Sequence, residues 1–242
     1  MSCAQCQGIR QEFDDRVARR ELRRYRKRGA RGTTGLLLRA ILAEYDGDPP
    51  GTFLDVGGGV GVIQHELASA GAPSGTHVDA SPAYLAVARS EAQRQGHAER
   101  VRYLEGDVVA LAASADASHD APADAFADAP LDPADIVTLD RVLCCYPDMP
   151  ALVDASASRA RRLYGMVFPR EHVLMRAGIL TINLIQRLRR RPFRVFLHGS
   201  DRIDARVRGH GFRRVFTGHS LLWQIHLYMK DGDGDIPWTS PS

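Results

Sequence analysis

Thr52-Phe-Leu-Asp-Val-Gly-Gly-Gly-Val-Gly61 is the stretch on which the fold turns. Residues 52–56 are mostly apolar around Asp55 and suit a short buried strand. Four of the next five residues, Gly57, Gly58, Gly59 and Gly61, are glycine. Glycine tolerates positive φ and lets a ligand lie close to the backbone. Residues 62–70 then read as a helix, so the glycines join a strand to a helix. The dinucleotide pattern G-x-G-x-x-G would need its third glycine at Val62, and no G-K-[ST] follows. Both of those phosphate-binding fingerprints are therefore excluded.

Outward from this stretch, strand and helix alternate. Residues 75–79 form the second strand and 101–105 the third. Residues 135–140 form the fourth and 163–168 the fifth. Residues 82–95 read as a helix with Pro82 at its start, where a missing N–H is harmless. Such alternation predicts a parallel sheet with helices on both faces, an α/β fold. Residues 213–217 and 222–229 read as two closing strands around a short turn at Gly218-His-Ser, so they pair antiparallel and complete seven strands. Before the first strand, 9–28 and 36–42 read as helices. Residues 112–134 hold ten Ala, five Asp and three Pro and read as a flexible insertion without regular structure. The predicted organisation is an N-terminal helical lid over 1–45, a main domain over 46–230 and a tail over 231–242.

Acids end successive strands. Asp55 lies within the first, Asp79 closes the second, Glu105 and Asp107 flank Gly106 after the third, and Asp140 closes the fourth. In open α/β sheets ligands bind outside these carboxyl ends, and an acid after the second strand suits ribose hydroxyls. The order D-x-G-x-G-x-G, then Asp79, then Gly106-Asp107, then a strand ending in Asp140 resembles the class I S-adenosylmethionine-dependent methyltransferases over about residues 50–230. That resemblance implies a Rossmann-like mixed sheet ending in an antiparallel hairpin, with S-adenosyl-L-methionine as cofactor. It implies that Asp55, Gly57, Gly58, Gly59 and Gly61 surround the methionine end. It places the ribose at Asp79, Ala80 and Ser81, and the adenine at Gly106, Asp107 and Val108. Asp140 would lie near the methionine moiety and the acceptor, and Tyr25 in the lid would close over the methionine carboxylate.

Asp140-Arg-Val-Leu-Cys-Cys-Tyr-Pro147 resembles, more narrowly, the Leu-Asp-Val-Leu-Ile-His-Tyr-Pro stretch of magnesium-protoporphyrin O-methyltransferases. It is one residue longer, and Cys145 stands where that stretch has histidine. Methyl transfer is an in-line displacement in which alignment carries much of the work. A carboxylate acceptor needs no base and suits bidentate arginine, so Asp140, Arg141, Tyr146 and Arg170 are the candidate catalytic residues. His65, His172, His198 and His219 are candidate bases without distinguishing context. Cys3-x-x-Cys6 and Cys144-Cys145 are read as unrelated thiols; a four-thiolate zinc site is the alternative.

The net charge of +3 hides large opposing parts. Residues 10–31 carry ten basic and four acidic side chains, 40–158 five and nineteen, and 159–214 fifteen and three. Solvated helix faces are one reading of this polarity; the other is a basic distal half that meets an anionic acceptor. Residues 171–194 join an apolar run to clustered arginines. They either pack over the sheet or form an amphipathic element that touches a membrane or a greasy substrate. Composition excludes whole-chain disorder. Four cysteines and no apolar leader point to the cytoplasm. The predicted activity is methyl transfer to a small molecule, more at oxygen than at nitrogen or carbon, of an anionic or apolar acceptor. A tetrapyrrole carboxylate is the narrower reading, and a non-catalytic cofactor-binding module is the rival of another class. A nucleic-acid substrate is not favoured, because no N/D-P-P-Y/F stretch follows the fourth strand.

Overall fold

The computed structural model describes residues 4–117 and 131–232. The central strand β1 (Phe53–Val56) is buried along its whole length, as expected for an apolar strand paired on both sides. To one side lie β2 (Gly75–Asp79) and β3 (Val101–Glu105). To the other lie β4 (Ala134–Asp140) and β5 (Ala160–Pro169). All four run parallel along the order β3-β2-β1-β4-β5. β7 (Trp223–Lys230) then inserts antiparallel between β5 and β6 (Phe212–His219). The expected seven-stranded mixed sheet with its closing hairpin is therefore present. The chain steps outward through β2 and β3 and returns to β4 on the opposite side of β1. This reversal opens a crevice beyond the ends of β1 and β4, where ligands bind in such sheets.

Helices cover both faces. On one, α3 (Gly32–Ala43) and α4 (Val62–Ser69) bury Leu37, Ile41, Ile63 and Leu67 against Phe53, Ile136, Val167 and Leu227. On the other, α6 (Val108–Ala117), α7 (Met149–Ala157) and α9 (Ser200–Gly209) pack on Leu54, Val137, Leu139 and Tyr164. α5 (Pro82–Gln95) flanks β2 and β3.

Three readings of the sequence are corrected. The helix expected over 9–28 is two, α1 (Ala4–Glu12) and α2 (Asp15–Arg28). Asp14 accepts the Val17 N–H at 2.9 Å and starts a new helix, which bends the chain. Residues 112–117, read as unstructured, complete α6, because Ala-rich sequence favours helix and the prolines lie beyond it. Of the rest of that insertion, residues 118–130 lie outside the described residues, as do Cys3 and the tail from residue 233, while Leu131 is buried and Ala134 begins β4. α7 was not anticipated at all. Asp148 caps it by accepting from the Ala151 N–H at 3.0 Å, and Pro150 sits in its first turn. α8 (Val173–Leu188) follows β5. No helix among the described residues is long and apolar enough to cross a membrane.

Candidate functional site

The glycine turn rests on two buried polar side chains. Asp55 on β1 accepts a hydrogen bond from Thr138 on β4 at 2.8 Å. Its other oxygen lies 3.9 Å from Nδ1 of His77 on β2, beyond hydrogen-bond range. Burial pushes the Asp55 carboxyl up to about 7 and His77 down to about 3. A Cβ on Gly58 would strike Asp55 Oδ2 and come within 2.5 Å of His77 Cε1. Gly57 turns at φ +61°, and a Cβ there would lie 2.6 Å from Val142 Cγ2. The turn is thus compressed between the sheet beneath it and the residues after β4. Asp55, placed at the methionine end by resemblance, lies below the turn and fixes its height.

The remaining strand-end acids stand around the crevice. Asp79 accepts the Gly59 N–H at 2.9 Å and the Ser81 N–H at 2.8 Å, one on each oxygen. This fixes the carboxylate against the glycine turn, and burial raises its pKa to about 6. Asp107 begins α6 by accepting from the Val109 N–H at 2.9 Å. The Tyr146 hydroxyl donates to the same carboxylate, 2.9 and 3.0 Å from its oxygens. Tyr146 and Asp107, assigned to acceptor and adenine, are therefore one unit. Gly106 lies between β3 and Asp107, and Val108 is buried at the start of α6. Asp140 accepts from Thr34 in the first turn of α3. Arg141 adopts left-handed backbone, φ +64°, rare for a side chain of this kind. Its guanidinium contacts both Asp140 oxygens at 3.1 and 3.2 Å, and also Thr34 Oγ1 at 3.1 Å. It sits 5.9 Å from the Trp223 ring centroid.

The N-terminal helices close over this crevice. Arg10 donates to the Ala80 carbonyl at 3.3 Å and to Glu105 at 2.6 Å. The Ser81 hydroxyl donates to the Phe13 carbonyl at 2.7 Å, and the Tyr84 hydroxyl to Glu21 at 2.9 Å. Tyr25 stacks on His65 with centroids 5.7 Å apart and donates to Glu66 at 3.0 Å. Burial lowers the His65 pKa to about 4, so the ring is neutral at pH 7. Its Nε2 meets the Val60 carbonyl at 3.1 Å and its Nδ1 meets His97 at 2.9 Å. A ring spent on these contacts supports the turn from below and is no free base. Arg26 anchors α2 to the buried Glu91 at 2.6 Å.

At the mouth, Gln5 of α1 donates to the carbonyls of Cys145 and Arg194, both at 2.8 Å. Phe196 N–H donates to the Cys144 carbonyl at 2.7 Å, and His198 meets the Tyr146 carbonyl at 2.9 Å. The segment after α8 thus lines the same opening as residues 141–146. Arg170 stands apart from Asp140 and Arg141; its guanidinium donates to the Ser220 carbonyl at 3.1 Å, at the hairpin tip. His172 caps α8 through the Leu174 N–H at 3.2 Å. Cys144 and Cys145 have sulfurs 3.8 Å apart, and among the described residues no three His, Cys, Asp or Glu side chains are placed to hold a metal ion. Thr34, Thr138, His77, Glu66, Arg10 and Gln5 were not anticipated. Packing alone brings them to the site, and no local motif marks them.

The sequence from Phe53 to Cys144 matches the family described as the methyltransferase domain. That match spans β1 to β4 and the turn that follows. No curated protein matches the chain. Among solved structures, the magnesium protoporphyrin IX methyltransferase from Synechocystis PCC 6803, with bound S-adenosylhomocysteine, is 20% identical with a TM-score of 0.66. The match covers 94% of this chain and all of that one. An O-methyltransferase family 2 protein from Planctomyces limnophilus, complexed with apigenin, is 18% identical at TM-score 0.52, covering 74% of this chain and 49% of that one. The N-methyltransferase NodS from Bradyrhizobium japonicum, complexed with S-adenosylhomocysteine, is 15% identical at TM-score 0.52, covering 81% and 85%. At these identities the likeness is one of fold. The matched segment carries the glycine turn and every strand-end acid, and it stops just before Tyr146.

Proposed function

We propose that the protein transfers a methyl group from S-adenosylmethionine to oxygen of a small-molecule acceptor. The observation that carries this is Asp79: a buried carboxylate held by the Gly59 and Ser81 N–H groups against a side-chain-free turn. Each of its oxygens uses one of its two acceptor sites on those amides and keeps another for ligand hydroxyls. The residues fit the cofactor: Gly57 and Gly58 let the turn settle onto Val142, Asp55 and His77, where any side chain would lift it toward a ligand. When bound, the cofactor supplies an electrophilic methyl on a sulfonium. Asp79 with Ala80 and Ser81 would hold the ribose, and Gly106, Asp107 and Val108 the adenine edge. Tyr146 orients Asp107. The glycine turn and Asp140 would border the methionine end, with Tyr25 at the lid.

Arg141 is the residue best placed to receive an anionic acceptor. Its charge is partly offset by Asp140, and the Trp223 ring gives it an apolar wall. An ionised carboxylate needs alignment and no base, which agrees with a site whose nearby His65 is neutral and engaged. Arg170 would act further out, at the hairpin tip. A second reading, a tetrapyrrole carboxylate as acceptor, is supported by the full-length fold likeness to the magnesium protoporphyrin enzyme. Calorimetry with S-adenosylhomocysteine tests the cofactor assignment, and absence of binding overturns it. A labelled-methyl screen across carboxylates, phenols and tetrapyrroles tests the acceptor. A phenol product without a porphyrin product removes the second reading. Binding with no turnover on any acceptor points to a regulatory module, and salt-sensitive binding of DNA or RNA to a nucleic-acid substrate.

A further inference from the structure

α8 presents its apolar side outward. On a surface helix the apolar stripe ordinarily faces the core. Here the inward positions are Met175, Ile179, Asn183 and Gln186, and the last two are polar. Asn183 is spent on the strap that follows, bonding both the carbonyl and the N–H of Val195 at 2.8 and 2.9 Å. At 100° per residue, Leu180, Val173, Leu184, Ala177, Leu188, Thr181, Leu174 and Ile185 succeed one another around a single arc of about 140°. Val173 is 77% exposed, Leu180 70% and Leu188 74%. Leu221, 68% exposed, extends the strip past the helix start, because the hairpin tip is bonded to Arg170.

Cations edge this strip. Arg176 and Arg187 border Leu180 on one flank, and Arg189 and Arg190 close the C-terminal end. Among the described residues Arg187, Arg189 and Arg190 have no carboxylate partner, and Arg176 has only Glu171 at 3.9 Å. Residues 170–194 contain seven arginines and one acid. In α9 and β6, by contrast, Asp154 takes Arg206 and His210, and Asp204 takes Arg208 and Arg214. An apolar outward arc edged by arginines that, Arg176 apart, have no acid partner among the described residues has the pattern of an interfacial helix. The helix is too short to span a bilayer, so it would lie in the plane of the surface. A second copy of the chain is a poorer occupant, because Arg170 and Arg176 at one end and Arg187–Arg190 at the other oppose like charges in either orientation.

The geometry points to α8 with Leu221 as a docking surface for an anionic lipid bilayer. The adjoining Arg141–Trp223 mouth would then open at the membrane surface, where apolar acceptors concentrate.

The test is co-sedimentation of the full chain with vesicles of phosphatidylcholine alone and of phosphatidylcholine mixed with phosphatidylglycerol. Binding is expected to the mixed vesicles only and to weaken with added salt. Arg187→Ala, Arg189→Ala and Arg190→Ala together should lose about a hundredfold in partitioning, at about fivefold for each arginine. Leu180→Asp with Leu184→Asp should lose more than about tenfold. Both positions are exposed, so an unchanged thermal melt verifies folding. Failure to bind mixed vesicles overturns the proposal, as does binding that survives the aspartates. A dimer in sedimentation velocity, abolished by the aspartates, without vesicle binding, overturns it in favour of self-association. The measurement needs neither cofactor nor acceptor, so it fails or succeeds separately from the methyl-transfer reading.

Discussion

Gly58→Ala is the sharpest probe of how the glycine turn is held. Gly58 does not share the positive φ of Gly57, Gly59 and Gly61, so alanine meets no backbone penalty there. The cost is steric. The added methyl would meet Asp55 Oδ2 and stand 2.5 and 2.7 Å from His77 Cε1 and Nδ1. Both side chains are buried with nowhere to retreat. Overpacking of this sort costs about 1–3 kcal/mol. Displacing Asp55 from Thr138 adds about 1 kcal/mol for the lost hydrogen bond. Stiffening the unfolded chain returns about 0.4–1 kcal/mol. The net loss is about 1–3.6 kcal/mol, which at about 2–4 °C per kcal/mol lowers Tm by about 2–14 °C. Raising the turn should also weaken S-adenosylhomocysteine binding. Differential scanning calorimetry and titration calorimetry read the two effects. Removing the imidazole makes room, so Gly58→Ala with His77→Ala should lose less than the sum of the singles by about 1–2 kcal/mol. A Gly58→Ala protein within about 0.5 kcal/mol of wild type, the range of surface changes, would refute the compressed turn.

Tyr146→Phe removes a hydroxyl shared by both Asp107 oxygens and should cost about 1–2 kcal/mol in thermal stability and raise the Kd for S-adenosylhomocysteine about tenfold. An unchanged Kd would separate Asp107 from cofactor binding. Thr34→Val keeps the side-chain shape but takes away the hydroxyl between Asp140 and Arg141; kcat/KM should fall about tenfold, a loss of about 1.4 kcal/mol, with cofactor affinity less affected. The pH dependence of stability carries opposed contributions. His77, held near 3, stays neutral when folded, so stability is lost as pH falls from about 6.5 toward 3. Asp55, held near 7, takes up a proton earlier in the folded state, so stability is gained as pH falls from about 7 toward 4. Asp55→Asn removes the second effect, and its Tm should drop more steeply than wild type between about pH 7 and pH 5; identical slopes would sink the assignment.

The sheet was legible because its signal is local. Each parallel strand is a short apolar run, each acid sits at its end, and Gly57–Gly61 fixes the first turn. The antiparallel hairpin was likewise marked by two apolar runs around Gly218. What was not legible arises from packing or from weak caps. Asp14 and Asp148 are ordinary acids in sequence, yet each starts a helix, dividing α1 from α2 and initiating α7. The Ala/Asp-rich sequence around Asp116 reads as an unstructured insertion and no helix is expected after Asp107, so α6 was missed. The acids of the site were placed by their spacing, but their partners were not. Thr138 reaches Asp55, and Thr34 reaches Asp140, across 83 and 106 residues. The charge segments behaved in two ways. Arg206, Arg208 and Arg214 of α9 and β6 are paired with Asp154 and Asp204, whereas Arg187, Arg189 and Arg190 have no carboxylate partner among the described residues.

The clasp between α1 and the mouth also dictates an order of assembly. Gln5 is bonded to carbonyls 140 and 189 residues further along the chain, and Glu12 pairs with Arg191. The first helix synthesised can meet Ala80 and Glu105 early through Arg10, but Gln5 and Glu12 complete their contacts only once the segment near Arg194 has left the ribosome. β1 to β5 contain their own pairing and can collapse before that point. Closing so long a loop is costly in chain entropy and slow. The contacts of α1 with the mouth are thus expected to form late and to open more readily than the sheet. Hydrogen exchange should find the amides of α1 opening well before those of β1 and β4. Opening of that clasp would expose the crevice while leaving the pairing of β1 to β5 intact.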